Sequence, residues 1–449
     1  MAATDAIMLA GKWKSKRLIR AVGFALLFPT CTFQAQTSDK TVRHVRVEEE
    51  SSWPPELTQA EANIQKKDYA VAEPLLRKVV ERDPTNYLAW YDLGFVLNAL
   101  DKPDESIAAY RKSVAAKPDV FESNLNLGLM LAKNGQPGAE QFLRAATTLK
   151  PTSNPDEGRA RAWISLAHVL EKSQPDQAVD AYREAAKLEP RDPEPHISAA
   201  FVLEKQNRFA EAEKEYETVL VLDPASTDAL TGLANLYMRG NRFSDAEAAL
   251  RKLVALEPND AGVHMQLGRT LAAAGDNDQA IVELQAALKL APTDSDLQRD
   301  LASVYVAAGK YPEAEAQYRT LIAGKPTDAD LHFRLGRTLL NQKKFSQAQQ
   351  ELLTAVQLKP DMGAAYGDLA AAANENQNYA LVIKALDARA RLLPEIPASY
   401  FLRATAYDHL HDRKHAAENY HRFLEIDGGK NPDQEWQARH RLIAIQPKK

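Results

Sequence analysis

Apolar residues recur along this chain with the 3.6-residue period of amphipathic helices. In the segment Asp228–Arg239, Leu230, Leu233, Ala234 and Tyr237 share one face, and Ala246, Leu250 and Leu253 do the same in the segment that follows. Between such segments stands a Gly or Asn, as at Gly135, Asn207, Gly240, Gly275 and Gly309. These residues suit the left-handed conformation that ends a helix. A proline closes each pair, and two residues beyond it comes a side chain able to cap the next helix: Asn86, Asp192, Ser226, Asp260, Asp294 or Asp328. The pattern predicts helix–turn–helix modules in series.

The closing prolines measure the module. Pro84, Pro118, Pro151, Pro190, Pro224, Pro258, Pro292, Pro326, Pro360 and Pro394 are spaced 34, 33 and 39 residues apart and then 34 throughout. The interval of 39 reflects extra loop residues around Thr152–Gly158. With each proline set at position 32, position 8 is always Gly or Ala, as at Gly94, Gly128, Gly268 and Gly336. Position 20 is Ala or Ser except at Val382, and position 24 is always Leu or Tyr. A period of this length is the mark of a stacked repeat.

The second repeat reads Trp90-x2-Leu93-Gly94-x2-Leu97, then Ser106-x3-Tyr110, then Pro118. This resembles the tetratricopeptide repeat, whose signature is W-x2-L-G-x2-Y, A-x3-F and P over 34 residues. About eleven such repeats cover residues 53–430. The resemblance implies an all-α fold, a right-handed α-solenoid (superhelix) of helix-turn-helix repeats, with small residues where the two helices of a repeat cross. Residues 431–449 are expected to form a capping helix and tail. That helix would turn Trp436, Leu442, Ile443 and Ile445 inward, and Gln434, Gln437 and Arg441 to water.

The N-terminus has a different pattern. Lys12, Lys14, Lys16, Arg17 and Arg20 precede the apolar run Ala21–Phe28, and a short polar stretch ends near Ala35. That order is the order of a secretory signal peptide, and the run is too short to span a bilayer stably. Residues 1–35 are therefore expected to direct export to a periplasmic or secreted location, with 36–52 a flexible lead-in. Retention as an N-terminal anchor is the alternative, and the only membrane attachment expected. Lipidation at Cys31 is disfavoured because Phe28-Pro29-Thr30 departs from the small residues normally found before a lipidated cysteine.

Composition narrows the function. The chain has 449 residues, a net charge of -5 and one cysteine. The acidic balance argues against a general nucleic-acid binder, and a single cysteine excludes a multi-cysteine metal site. Signal and repeats consume nearly the whole polypeptide, and no phosphate loop, zinc helix, nucleophile elbow or dinucleotide turn is present. No catalytic residue, cofactor or metal is expected. His196, His264 and His332 occupy position 4, where Trp90 stands in repeat two, and read as packing residues. His411 and His415 have the spacing of a metal pair but lack further ligands.

What remains is surface. In the family the first helix of each repeat lines a concave groove through positions 2, 5, 9, 12 and 13. Carried over, repeats two to five place Leu88, Tyr91, Phe95, Leu125, Leu129, Ile164, Ile197 and Phe201 there, a stripe suited to an apolar or helical peptide, although helical apolar runs are more often ordinary core. Repeats six to nine place Asp228, Asn235, Arg239, Arg269, Arg299 and Arg337 there, suited to carboxylates on a partner unless acids such as Asp296 and Asp330 neutralise them. The family's carboxylate clamp needs Lys at position 5 with Asn at position 9. Asn235 is accompanied by Thr231, so the clamp is incomplete. The expected function is an exported scaffold or adaptor that binds peptide segments of partner proteins in cell-envelope assembly or secretion. The alternative is a polysaccharide- or glycan-binding subunit of an export machine.

Overall fold

A computed structural model describes residues 53–446. The expected signal peptide, the lead-in, Cys31 and the last three residues lie outside them. Every regular element is an α-helix: α1 Pro55–Gln65, α2 Tyr69–Arg82, α3 Tyr87–Ala99, α4 Pro103–Ala116, α5 Phe121–Lys133, α6 Ala139–Thr148, α7 Pro155–Leu170, α8 Pro175–Leu188, α9 Glu194–Lys205, α10 Phe209–Leu222, α11 Thr227–Arg239 and α12 Phe243–Leu256. The series continues with α13 Ala261–Ala274, α14 Asn277–Leu290, α15 Ser295–Ala307, α16 Tyr311–Gly324, α17 Ala329–Asn341, α18 Phe345–Leu358, α19 Gly363–Glu375, α20 Tyr379–Ala390, α21 Pro397–His409, α22 Arg413–Asp427 and α23 Pro432–Ile445. The chain forms two compact units, divided between Val169 and Leu170.

Local chemistry sets the helix ends. Side chains of Asn86, Ser226, Asp260, Asp294 and Asp328 accept hydrogen bonds from backbone N–H groups in the first turns of α3, α11, α13, α15 and α17. The Asp192 carboxylate accepts from the Glu194 N–H instead. The turn inside ten of the repeats shares one backbone form: Lys67, Asp101, Gly135, Asn207, Asn241, Gly275, Gly309, Lys343, Gln377 and His411 all have φ between 56° and 92°, whereas the turn between Leu170 and Pro175 has no such residue. All share position 15. The expected left-handed residue at Gly240 is corrected, since its φ is -80° and Asn241 takes the role one residue later.

Small residues at position 8 are explained by the facing helix. A Cβ on Gly268 would stand 2.7 Å from Leu284 Cγ, and one on Gly128 would stand 2.6 Å from Leu143 Cγ. The opposing group is thus the Leu or Tyr of position 24 more than the residue at position 20. At Gly94 the second helix adds a polar tie, with the Ser106 hydroxyl donating to the Gly94 carbonyl at 2.7 Å. Position 20 is sealed throughout the second unit, where Ala178, Ala212, Ala246, Ala280, Ala314, Ala348, Val382 and Ala416 are all buried.

Within the first unit Leu57, Leu76, Tyr91, Leu93, Leu97 and Tyr110 share one apolar cluster with Leu127 and Leu131. In the second, a continuous cluster runs from Leu230 to Leu386 and Ala406, and a smaller one joins Ala404, Tyr420 and Phe423 to Ala438. A base at position 16 bonds an acid on the second helix of the preceding repeat: Lys102 to Glu73, Arg208 to Asp176, Arg242 to Glu213, Lys310 to Asp278 and Lys344 to Glu315, at 2.7–2.8 Å. These pairs, whose basic partners are solvent-accessible, tie each repeat to the one before it.

The last helix corrects several expectations. Leu442 and Ile445 pack inward as expected, but Trp436 and Ile443 face solvent and Ala438 takes the buried place. Arg441 does not simply meet water. Its guanidinium binds Asp408 at 2.6 and 2.8 Å. Asn431 donates its side-chain amide to Asp427 at 2.5 Å rather than capping α23.

Candidate protein-binding face

In the first unit the candidate stripe is largely interior. Leu88, Tyr91 and Leu125 are buried, while Phe95, Leu129 and Ile164 are half-buried. The Tyr91 ring meets Tyr110 edge-on at 5.8 Å, and both hydroxyls accept from the buried Asn126 amide, at 3.3 and 3.4 Å. Phe95 packs edge-on against Tyr69. In the second unit Ile197 is also buried, and Phe201 stands perpendicular to Tyr216 at 6.1 Å. Leu88, Tyr91, Leu125 and Ile197 are therefore corrected from exposed groove to core. Helical spacing marks a face as apolar, and neighbouring repeats cover it.

The polar candidates of the second unit are accessible. Arg239 is exposed, with its guanidinium 5.5 Å from the Phe209 ring. Asn235 and Asp228 are half-buried, and burial pushes the Asp228 carboxyl above the ordinary aspartate range. Glu204 beside them is raised by burial, against the pull of the Tyr216 hydroxyl, which donates to it at 2.7 Å.

The arginines are neutralised at a repeating register. Arg269 Nε donates to Asp300 at 2.6 Å, and Arg337 Nε lies 3.2 Å from Asp368. In both, position 9 reaches position 6 of the next repeat. Burial raises the Asp300 carboxyl, with Arg269 opposing, and pushes Asp368 up to about 6, with Arg337 opposing. A partner carboxylate has to displace these acids. Arg334 is likewise held by Asp330 at 2.5 Å.

Arg299, at position 5, is paired differently, with Asp296 of its own helix as expected and with Asp328. Asp296 lies 3.3 Å and Asp328 3.8 Å from its guanidinium, and its buried Nε has no hydrogen-bond partner among the described residues. The Nε is out of a partner's reach, but the side chain is 34% exposed and a guanidinium presents five donors in a planar fork, more than Asp296 and Asp328 occupy. Met265 and Phe333 occupy position 5 in the flanking repeats, both half-buried. The elements for an acidic group next to an apolar one converge there.

A second register escaped the sequence pattern. In five repeats position 4 carries a side-chain N–H that donates to the closing proline's carbonyl six residues earlier: Trp90 to Pro84, Asn124 to Pro118, His264 to Pro258, Gln298 to Pro292 and His332 to Pro326, at 2.8–3.1 Å. The other ring nitrogen of His264 and of His332 lies 2.7 and 2.6 Å from Glu283 and Glu351, and His196 meets Glu215 at 2.7 Å. These histidines join the two helices of a repeat. His411 sits at the left-handed turn and His415 Nδ1 lies 2.7 Å from Asp412. Among the described residues no group of three or more metal-ligating side chains gathers, and no helix is long and apolar enough to cross a membrane.

Sequence profiles described as tetratricopeptide repeat match residues 57–120, 96–154, 169–221, 205–269, 271–332 and 307–373. Tetratricopeptide repeat protein 37 of Xenopus laevis is 34% identical over 80 residues, which is 18% of this chain and 5% of that protein. The chain thus spans a small fraction of that relative. Among solved structures, the C-terminal part of a repeat-containing protein from Cytophaga hutchinsonii aligns with a TM-score of 0.47 and 16% identity, covering 55% of this chain and 99% of that one. YrrB, described as a TPR protein with an unusual peptide-binding site, aligns at 0.38 and 23% identity, covering 42% of this chain and 96% of its own.

Proposed function

This chain belongs to the tetratricopeptide repeat family, and from that premise we propose that it is an exported scaffold of the cell envelope that holds peptide segments of partner proteins on its first-helix face. Repeats of this kind form protein-interaction scaffolds, because stacking leaves an extended surface rather than an enclosed pocket. The observation that supports the finer reading is the row Arg269, Arg299 and Arg337 on the first helices, with Arg299 at position 5 between Met265 and Phe333 of the flanking repeats. An acidic residue beside an apolar one on the partner would pair with Arg299 and lie against Met265 or Phe333. Export rests on the basic–apolar–polar order of residues 12–35.

The test is capture from envelope extract by the full-length chain, compared with Arg299→Glu. A partner retained by the wild type and lost in the variant supports the reading. Equal recovery with both defeats the role of Arg299, and cytoplasmic retention of a fluorescent fusion defeats export.

A further inference from the structure

The last helix turns one apolar stripe inward and another outward. α23 buries Ala438 and packs Leu442 and Ile445 against the Tyr420 and Phe423 cluster. Its outer side carries Pro432, Trp436 and Ile443, with Trp436 61% and Ile443 70% exposed. At about 100° per residue these three fall within roughly 40° of one another, so they form a single stripe. The His440 ring lies against the Trp436 indole with centroids 3.9 Å apart, which flattens its centre. Charges border the stripe in a fixed order. One edge has Glu435 then Arg439, and the other has Asp433 then His440. Each edge therefore runs from acid near the helix start to base further along.

We infer that this stripe docks a second copy of the chain, with the two α23 helices antiparallel about a two-fold axis near Gln437. A two-fold contact brings one patch against itself, so the patch must be complementary to its own reverse. Reversal about Gln437 sets Glu435 opposite Arg439 on one edge and Asp433 opposite His440 on the other. The same reversal seats Ile443 near the copy's Pro432 and brings the two Trp436 indoles together at the centre. A parallel pair would oppose acid to acid and base to base, and would align the helix dipoles unfavourably. Glu435 and Arg439 lie 3.4 Å apart within the helix; one Glu435 oxygen also accepts from the Gly429 N–H at 3.1 Å, and the other is the one that would turn to the copy's Arg439. Arg441 is committed to Asp408, which leaves His440 as the base on its edge. One helix face buries less than the roughly 1,200–2,000 Å² of a standard interface, so the dimer is weak and reversible.

Sedimentation velocity of the full-length chain from about 1 to 200 µM, a range suited to micromolar association, tests the inference. The wild type shifts from monomer to dimer with concentration. Trp436→Glu and Ile443→Glu remain monomeric with unchanged far-ultraviolet circular dichroism. Glu435→Arg weakens association about tenfold or more, and adding Arg439→Glu to it restores the dimer, because the charges of that edge are then exchanged in both copies and each again faces its opposite. A wild type that stays monomeric throughout overturns the inference. So does association that survives Trp436→Glu, or a charge-reversed double variant no tighter than the single one.

Discussion

Gly336 gives the most direct test of how the repeats interlock. It lies on α17 where a Cβ would stand 2.6 Å from Leu352 Cγ, 2.9 Å from Leu352 Cδ2 and 3.4 Å from the Ala348 carbonyl oxygen. Leu352 is completely buried, so its side chain has nowhere to retreat. Gly336→Ala thus overpacks the helix crossing, at about 1–3 kcal/mol. Alanine returns about 1 kcal/mol through its helix propensity, leaving a net loss of about 0–2 kcal/mol. Leu352→Ala alone opens a cavity and costs about 2–5 kcal/mol. In that background the methyl of Gly336→Ala enters empty space, so the same substitution stabilises by about 1 kcal/mol. The sign of its effect reverses, and the double-mutant cycle yields a coupling of about 1–3 kcal/mol. Urea denaturation followed by circular dichroism measures it, with hydrogen exchange of α17 and α18 reporting the local change, since repeat arrays need not unfold in one step. Additivity within about 0.5 kcal/mol would refute the argument that position 24 dictates the small residue at position 8.

Other perturbations separate further contacts. His332→Leu strands the Pro326 carbonyl and costs about 1–3 kcal/mol in denaturation experiments, whereas His332→Gln, which uses the donor type found at Gln298, recovers part of that loss. Arg403 stands at position 7, which is Leu93, Leu127, Leu233, Leu267, Leu301, Leu335 and Leu369 in other repeats, and is held by Asp387 at 3.2 Å and Glu395 at 2.8 Å. Glu395→Ala should cost up to about 3 kcal/mol, the low end for a broken buried pair because Asp387 remains, while Arg403→Leu combined with Glu395→Gln should match or exceed wild-type stability. Asp368, pushed up from the ordinary aspartate value to about 6, favours the folded state when protonated. Its contribution is fully present below about pH 4 and is lost as pH rises through 6. Thermal melts of wild type and Asp368→Asn should therefore diverge between pH 4 and 6, with the wild type losing stability relative to the variant as pH rises.

The period, the helix pairs and most caps were legible because each is a local requirement repeated at one spacing. Proline at position 32 and an Asx or Ser residue two positions later act within a few residues of chain. Contacts between repeats were less legible. Leu88, Tyr91, Leu125 and Ile197 have the periodicity of an apolar face whether that face is open or covered, and only packing distinguishes the two. The Arg269–Asp300 and Arg337–Asp368 pairs join residues 31 apart on different helices, a spacing that gains meaning once position 9 is known to reach position 6 of the next repeat. Position 4 was the least visible. Trp90, Asn124, His264, Gln298 and His332 share no size, charge or hydropathy, only an N–H that reaches a proline carbonyl. At the end of the chain, Trp436 and Ile443 were expected inside because large apolar residues usually are, yet Ala438 fits the close contact with α22 and turns them outward.

Recognition on the first-helix face is the central claim, and site-specific photocrosslinking tests it most directly. A benzophenone side chain placed at Phe333, at position 5 of the repeat that follows the one carrying Arg299, is compared with one at Val282, which is exposed on the second helix of its repeat. The account predicts that partner protein is captured from Phe333 and not from Val282, and that Arg299→Glu abolishes the capture. Capture from Val282 alone, or equal capture from both sites, would contradict it.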